Sequence, residues 1–213
     1  MKRSIVLCAT VLFGAALPAA AQVTQVNSAG QLTGSSITKD DFESVIGGVS
    51  YSSNSGVTRA SANSFASGVT TSGTMGLTTL GFPDPIRMTF VEAVQSVGLY
   101  FGNDDRCCSN VFTAYLDAYQ GTTLLGTVAV VANMNDFVDQ FIGLTSTAPI
   151  TSAVIRYGNG SDVGLYTYID DVQFGAFESV TATPEPASIL LMRTALIGIG
   201  GFQWRRRKSV AAG

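Results

Sequence analysis

Two aspartates stand side by side in Tyr168-Ile169-Asp170-Asp171-Val172-Gln173-Phe174, a run otherwise composed like a β-strand. Successive side chains of a strand point to opposite faces. Tyr168, Asp170, Val172 and Phe174 are therefore expected on one face, and Ile169, Asp171 and Gln173 on the other. One carboxylate thereby shares its face with large apolar groups. A carboxylate removed from water needs a partner. A hard cation or the backbone N–H groups of a neighbouring loop would supply one, and a bulge that turns Asp170 to solvent would remove the need.

Other side chains could also bind. Asn103-Asp104-Asp105 presents an amide and two carboxylates just before Cys107-Cys108; such a set takes Ca²⁺ or sugar hydroxyls, or forms a solvated turn. Gly158-Asn159-Gly160-Ser161-Asp162 has the composition of one turn of a calcium-binding β-roll, but occurs once. Those repeats act in tandem, so it reads as a loop. Tyr100, Tyr115, Tyr119, Tyr157, Tyr166 and Tyr168 could set rings on an outer sheet face where sugars stack, Tyr100 and Tyr115 being the first candidates. Tyrosine is also a good strand residue with a polar tip, and the single tryptophan, Trp204, lies near the C-terminus.

Catalysis has little to build on. The 213 residues contain no histidine, which rules out Ser-His and Cys-His nucleophile pairs and the usual zinc sites. No nucleophile elbow, phosphate loop or strand-linked dinucleotide fingerprint is present. A glycosidase needs only two carboxylates at a fixed separation, for which Glu43, Glu92 and the aspartate pairs are available. The expectation is a protein that is not an enzyme. Cys107 and Cys108 can close on each other as a vicinal disulfide, bridge to other chains or stay reduced, and the intramolecular pair is favoured in an oxidising compartment.

The elements that would position these residues are strands. Ile86–Phe90, Val94–Gly102, Val111–Tyr119, Thr122–Val131, Phe137–Thr145, Pro149–Gly158 and Leu165–Gly175 are strand-like runs separated by Gly, Asn, Asp or Pro, with Gly121 at a hairpin turn and no amphipathic helix between them. From Gly47 to Gly81 small polar residues dominate, consistent with short strands and long loops. The pattern is that of an antiparallel β-sandwich.

Both ends differ from this body. Lys2 and Arg3, the apolar run Ile5–Leu17, and Pro18 before Ala19-Ala20-Ala21 make a secretory signal peptide over residues 1–21, with Ala19 and Ala21 as the small cleavage-site residues and Gln22 as the new N-terminus. Signal peptidase is then a partner during export. At the other end, Pro184-Glu185-Pro186 precedes the apolar run Ala187–Trp204, interrupted by Arg193, and the cations Arg205, Arg206, Arg207 and Lys208. Clustered cations beside an apolar segment stay on the cytoplasmic side. With both ends set aside, the body keeps five cations (Lys39, Arg59, Arg87, Arg106, Arg156) against 14 of the 15 acids, a formal charge of −9. That balance excludes a nucleic-acid footprint and leaves carboxylates for a cation such as Ca²⁺.

The arrangement of Pro184-Glu185-Pro186-Ala187-Ser188, apolar stretch and arginine cluster resembles the PEP-CTERM sorting signal of exopolysaccharide-producing Gram-negative bacteria. The resemblance covers about the last 25 residues. It implies a tag that inserts transiently in the membrane and is removed by an exosortase-type protease near Pro184, Glu185 and Pro186. Residues 1–21, 22–182, 183–208 and 209–213 are then signal peptide, passenger domain, sorting tail and C-terminal end. The fold implied is all-β, a jelly-roll-like antiparallel sandwich between a signal helix and a C-terminal apolar helix.

In the body, Asp41-Phe42-Glu43-Ser44-Val45 with Val97–Asp105, Phe141–Gly158 and Tyr168–Gly175 resembles the jelly-roll modules common in PEP-CTERM proteins, which are distantly similar to carbohydrate-binding modules. In such modules an Asp on the last strand and a Glu just after the first hold a structural Ca²⁺; the resemblance assigns these roles to Asp170 and Glu43. The expected function is a non-enzymatic, exported cell-surface or matrix protein associated with exopolysaccharide. The alternatives are a lectin-like module with structural calcium and, behind it, a carboxylate-based glycan hydrolase.

Overall fold

Val97, Leu99 and Phe101 alternate with Ser96, Gly98 and Tyr100, and this period-two pattern buries one face of a strand. The computed structural model describes residues 22–64 and 70–178. Among them are ten strands: β1 (Val23–Val26), β2 (Ile37–Asp40), β3 (Val49–Ser52), β4 (Val57–Ser61), β5 (Met75–Thr79), β6 (Ile86–Gly102), β7 (Thr113–Gln120), β8 (Thr123–Val131), β9 (Gln140–Tyr157) and β10 (Tyr168–Ala176). The described pairings are all antiparallel, in the order β4-β5-β10-β6-β9-β7-β8, with β1 on β9, β2 on β10 and β3 on β6. The chain divides into two units, Met1–Glu178 and Ser179–Gly213. The signal peptide, the sorting tail and the flanking helices expected from the sequence lie outside the described residues.

β6 and β9 fold the sheet over on itself. Residues 87–90 of β6 pair with β3 and 86–89 with 152–155 of β9, whereas 94–102 pair with β10 and 96–101 with 140–145 of β9. The register shifts between Thr89 and Val94, and again before Ser96. At these breaks the two strands pass from one layer to the other. The first layer is β3-β6-β9-β7-β8, and the second is β4-β5-β10-β6-β9-β1. Ile86, Met88, Ala114, Leu116, Ala153 and Ile155 from the first meet Val97, Leu99, Phe101, Ile142, Leu144 and Ile169 from the second in one buried cluster. Burying each large aliphatic or aromatic side chain contributes about 1.5–3 kcal/mol.

The antiparallel sandwich expected from the sequence is therefore present. Ile86–Phe90 with Val94–Gly102, and Phe137–Thr145 with Pro149–Gly158, were each expected as two strands; each pair instead lies in one bent strand, of 17 and 18 residues. Pro149 gave the sequence its break, yet it sits at the bend, where a missing N–H interrupts no ladder.

β10 departs from strict alternation. Asp170 pairs with Tyr100 and Gln173 with Gly98, so three steps on β10 oppose two on β6. The extra residue is a bulge, and Asp171 at its centre has φ 49°, which aspartate tolerates better than most residues. Ile169, Val172 and Phe174 consequently all reach the main core, while Tyr168 joins a smaller cluster with Ala62 and Val138 on the opposite face. The expectation that Asp170 shares a face with Val172 and Phe174 is corrected: before the bulge it shares one with Tyr168.

Tyr157, at the end of β9, ties three strands together. Its buried hydroxyl donates to the Gly102 carbonyl and accepts from the Tyr168 N–H at 3.4 Å, while its ring packs between Phe101 and Phe112. Tyr157→Phe keeps the ring and strands the Gly102 carbonyl. The expected loss is about 1–3 kcal/mol in urea unfolding.

Candidate functional site

β7 carries Ala114, Leu116 and Ala118 into the core and so turns Tyr115, Asp117 and Tyr119 outward. Opposite them on β9 stand Arg156, Val154 and Ser152. Arg156 is held on all sides. Its Nε donates to Asp117 Oδ2 at 2.8 Å, its Nη1 to the Gly158 carbonyl at 2.7 Å, and its guanidinium carbon lies 4.3 Å from the centre of the Tyr115 ring. Thr127 Oγ1 donates to Asp117 Oδ1 at 2.6 Å, fixing the carboxylate from β8. With the Asp117 side chain 8% exposed and that of Arg156 25% exposed, the pair is partly desolvated and positions more than it stabilises. A guanidinium over a phenol ring adds about 0.5–2 kcal/mol. Arg87 repeats the arrangement over Tyr119, at 5.2 Å, with its Nη1 donating to Ser152 Oγ at 3.0 Å.

This platform floors a cleft of about 760 Å³ that is walled by Asn110, Thr113, Cys108 and the loop carrying Asn159 and Asp162. The loop is self-supporting: Asp162 Oδ1 accepts the Asn159 N–H at 2.9 Å, and Asn159 Oδ1 accepts the Ser161 N–H at 2.7 Å. The cleft thus offers a stacked cation and ring, amides, hydroxyls and a carboxylate. Arg156 and Asp117 were not singled out from the sequence. The available signal was a scarce cation on one strand and an acid between two tyrosines on another, both at outward positions of the alternation.

Of the residues the sequence did single out, Tyr115 lies in this cleft. Tyr100 does not: it is half-buried on the other layer, its ring 5.3 Å from Phe141 and edge-on to it. Asn103 and Asp104 are buried and spend their side chains on backbone. Asn103 Nδ2 donates to the Tyr166 carbonyl at 2.7 Å, and Asp104 accepts the N–H groups of Met134 at 2.6 Å and Asp136 at 2.9 Å. Burial pushes the Asp104 carboxyl above its ordinary range despite these bonds. Asp105 accepts the Cys107 N–H at 2.8 Å and shapes an exposed turn in which Cys107 and Cys108 are joined as a vicinal disulfide.

Glu43 and Asp170 converge on one segment. Asp170 Oδ2 accepts the N–H groups of Thr71 at 3.0 Å and Ser72 at 3.1 Å, and Oδ1 accepts that of Asp171 at 2.7 Å. Glu43 Oε1 accepts those of Thr74 at 2.5 Å and Met75 at 2.7 Å. Asp171 adds an ion pair to Lys39 at 2.8 Å and a hydrogen bond from Ser72 Oγ at 2.5 Å. A calcium ion shared by Glu43 and Asp170 would need their lone pairs turned toward it. Both Asp170 oxygens and Oε1 of Glu43 face amide hydrogens, so the two carboxylates clamp the segment 71–75. The N–H bonds hold exposed Glu43 below the ordinary carboxylate range, whereas burial pushes Asp170 up to about 7. Among the described residues, the one group of three metal-ligating side chains with mutually close donor atoms is Asp105, Cys107 and Cys108, and its sulfurs are spent on the disulfide.

No protein-family model matches the chain, and no curated protein matches it. Among solved structures, it is similar to the K2 cleaved adhesin domain of Lys-gingipain, with a TM-score of 0.43 and 15% identity over 65% of this chain and 99% of that one. It is also similar to the CBM22-1–GH10 modules of Clostridium thermocellum endo-1,4-β-D-xylanase 10B in complex with xylohexaose, with a TM-score of 0.36 and 14% identity over 62% of this chain and 27% of that one. A third is CsCBM6-3 from Clostridium stercorarium in complex with cellobiose, with a TM-score of 0.32 and 14% identity over 56% and 94% of the two chains. At these scores neither fold nor ligand transfers to this chain.

Proposed function

We propose that the sandwich is the working part of an exported, non-enzymatic surface or matrix protein, and that it binds carbohydrate in the cleft floored by Tyr115 and Arg156. The observation that carries this reading is the Arg156 guanidinium locked onto the Tyr115 ring by Asp117 and the Gly158 carbonyl, a flat, pre-oriented surface in an open cleft. Such a surface suits a sugar ring, whose C–H face stacks on the platform while its hydroxyls meet Asn110, Asn159 and Asp162. Pre-orientation lowers the entropy lost on binding. Without tryptophan the affinity is expected to be weak. This is a jelly-roll-like carbohydrate-binding role, and exopolysaccharide is the partner the sorting signal favours.

The geometry supports binding better than hydrolysis. A glycosidase acid needs a raised pKa beside the scissile bond, and the two described carboxylates held above the ordinary range, Asp170 and Asp104, are both buried and bonded to backbone. Glycan-array binding of the full-length protein in mild detergent, beside Tyr115→Ala, tests the reading. At least one glycan is expected to bind wild type and to bind the variant about tenfold more weakly. Retained binding in Tyr115→Ala, or release of reducing ends, would refute it. Export and exosortase sorting are tested separately, by intact mass of secreted protein: a chain starting at Gln22 and ending near Thr183 is expected, and an extracellular chain that keeps Arg205, Arg206 and Arg207 would contradict it.

A further inference from the structure

Cys108 belongs to two walls. Across the disulfide turn from the first cleft lies a second hollow, of about 400 Å³, lined by Phe82, Leu165 and Tyr166 together with Asn103, Asp105 and Asp136. Phe82 is 53% exposed, and its ring stands edge-on to Tyr166 with 4.7 Å between centroids. Leaving so large an apolar ring in water is unfavourable, and the surrounding chain is built to keep it there. Thr167 Oγ1 donates to the Asp84 carbonyl at 2.7 Å, which ties the segment bearing Tyr166 to the one bearing Phe82. Asp84 is itself buried, and accepts the N–H groups of Ser55 at 2.6 Å and Asn54 at 3.2 Å. Asn103 anchors the carbonyl of Tyr166 from below. The aromatic pair is thus pre-oriented by buried hydrogen bonds while its rings stay accessible, the condition for a site whose first contacts are held by a rigid second layer.

We propose that this hollow is a second saccharide site, specific for neutral sugar units, so that one domain grips two polymer chains. The sugar's C–H face lies on the exposed Phe82 ring, with the Tyr166 ring edge-on beside it, and its hydroxyls donate to the carboxylates of Asp105 and Asp136. The acids of this lining disfavour a uronate or sulfated sugar. Stacking on an aromatic face supplies apolar contact with a fixed geometry. The proposal rests on the carbohydrate reading of the first cleft and extends it from binding to cross-linking.

The test is affinity electrophoresis of the full-length protein in mild detergent, in gels cast with xylan, galactomannan or mixed-linkage β-glucan, paired with viscosity of the same polymers in solution. Wild type is expected to be retarded by at least one of them and to raise its viscosity. Phe82→Ala is expected to remain retarded but to lose the viscosity rise, and Phe82→Trp to strengthen both. Phe82 is exposed, so an unchanged melting temperature in both variants will show that folding is not the cause. If Phe82→Ala raises viscosity as wild type does while Tyr115→Ala weakens retardation, the second site is refuted and the first stands. If wild type binds no glycan in any gel or on the array, both fail together.

Discussion

The melting temperature of the protein is expected to fall as the pH is raised from about 4 to about 7 and then to level off, and Asp170→Asn to remove most of that slope. Asp170 is buried, and burial lifts its carboxyl to about 7 in the folded chain from 3.8 in a solvated one. Between those values the folded state holds a proton that the unfolded state has released. Stability therefore declines with rising pH across the window, and is constant above it because both states are ionised. The gap sets a ceiling of roughly 4 kcal/mol. Glu43 and Asp84 are held below the ordinary range, so what they contribute is lost only as the pH falls below about 4, outside this window. Asp104 is shifted upward by burial and leaves a residual slope in the variant. Asparagine offers one acceptor where Asp170 uses both oxygens, so the variant is also less stable at every pH. Calcium and chelator are expected to give the same melting curve. A calcium-dependent rise that vanishes in Asp170→Asn would place an ion where the structure has amide hydrogens.

Asp104→Ala is expected to cost about 2–5 kcal/mol, because it strands two amide donors at once, one buried and one half-buried, and removes a buried carboxylate. Those donors belong to Met134 and Asp136, which with Asn103 adopt left-handed backbone at φ 61°, 65° and 56°. Non-glycine residues hold that conformation only where their surroundings enforce it. With the carboxylate gone, the loop after β6 and the loop after β8 part, and the disulfide turn that walls both clefts loses its base. Urea unfolding measures the loss, and near-ultraviolet circular dichroism reports the loosened loops. A change below about 0.5 kcal/mol would mean that the loops are held by something other than Asp104.

The parts of this architecture legible in the sequence were those set by local period and turn chemistry. Val97, Leu99 and Phe101 point inward as their spacing requires, and Gly121 turns the β7–β8 hairpin with φ 59°. The alternation of β10 failed at Asp171, because a bulge is a property of the pairing with β6 and leaves no periodic mark in its own strand. For the same reason the bends that make β6 and β9 continuous were invisible: a strand that changes layer mid-course has the composition of two. Asp170 required a partner from its neighbours alone, yet that the partner is the Thr71–Ser72 backbone depends on a contact 99 positions away. Tyr115 could be placed on an outer face from β7 by itself, whereas the ion pair that makes it a platform joins β7 to β9 across 39 positions. Phe82 carried no signal, since one phenylalanine in a Gly-Phe-Pro-Asp loop reads as covered until the fold leaves it exposed.

The proposed function places carbohydrate in the cleft floored by Tyr115 and Arg156. Its most direct test is titration of the isotope-labelled protein with a glycan that binds, followed by backbone and arginine side-chain chemical shifts. Changes concentrated at Tyr115, the Arg156 guanidinium, Asn159 and Asp162, and abolished by Arg156→Ala without loss of the folded spectrum, are the predicted result. Shifts confined to residues away from the cleft, or unaltered by Arg156→Ala, would contradict it.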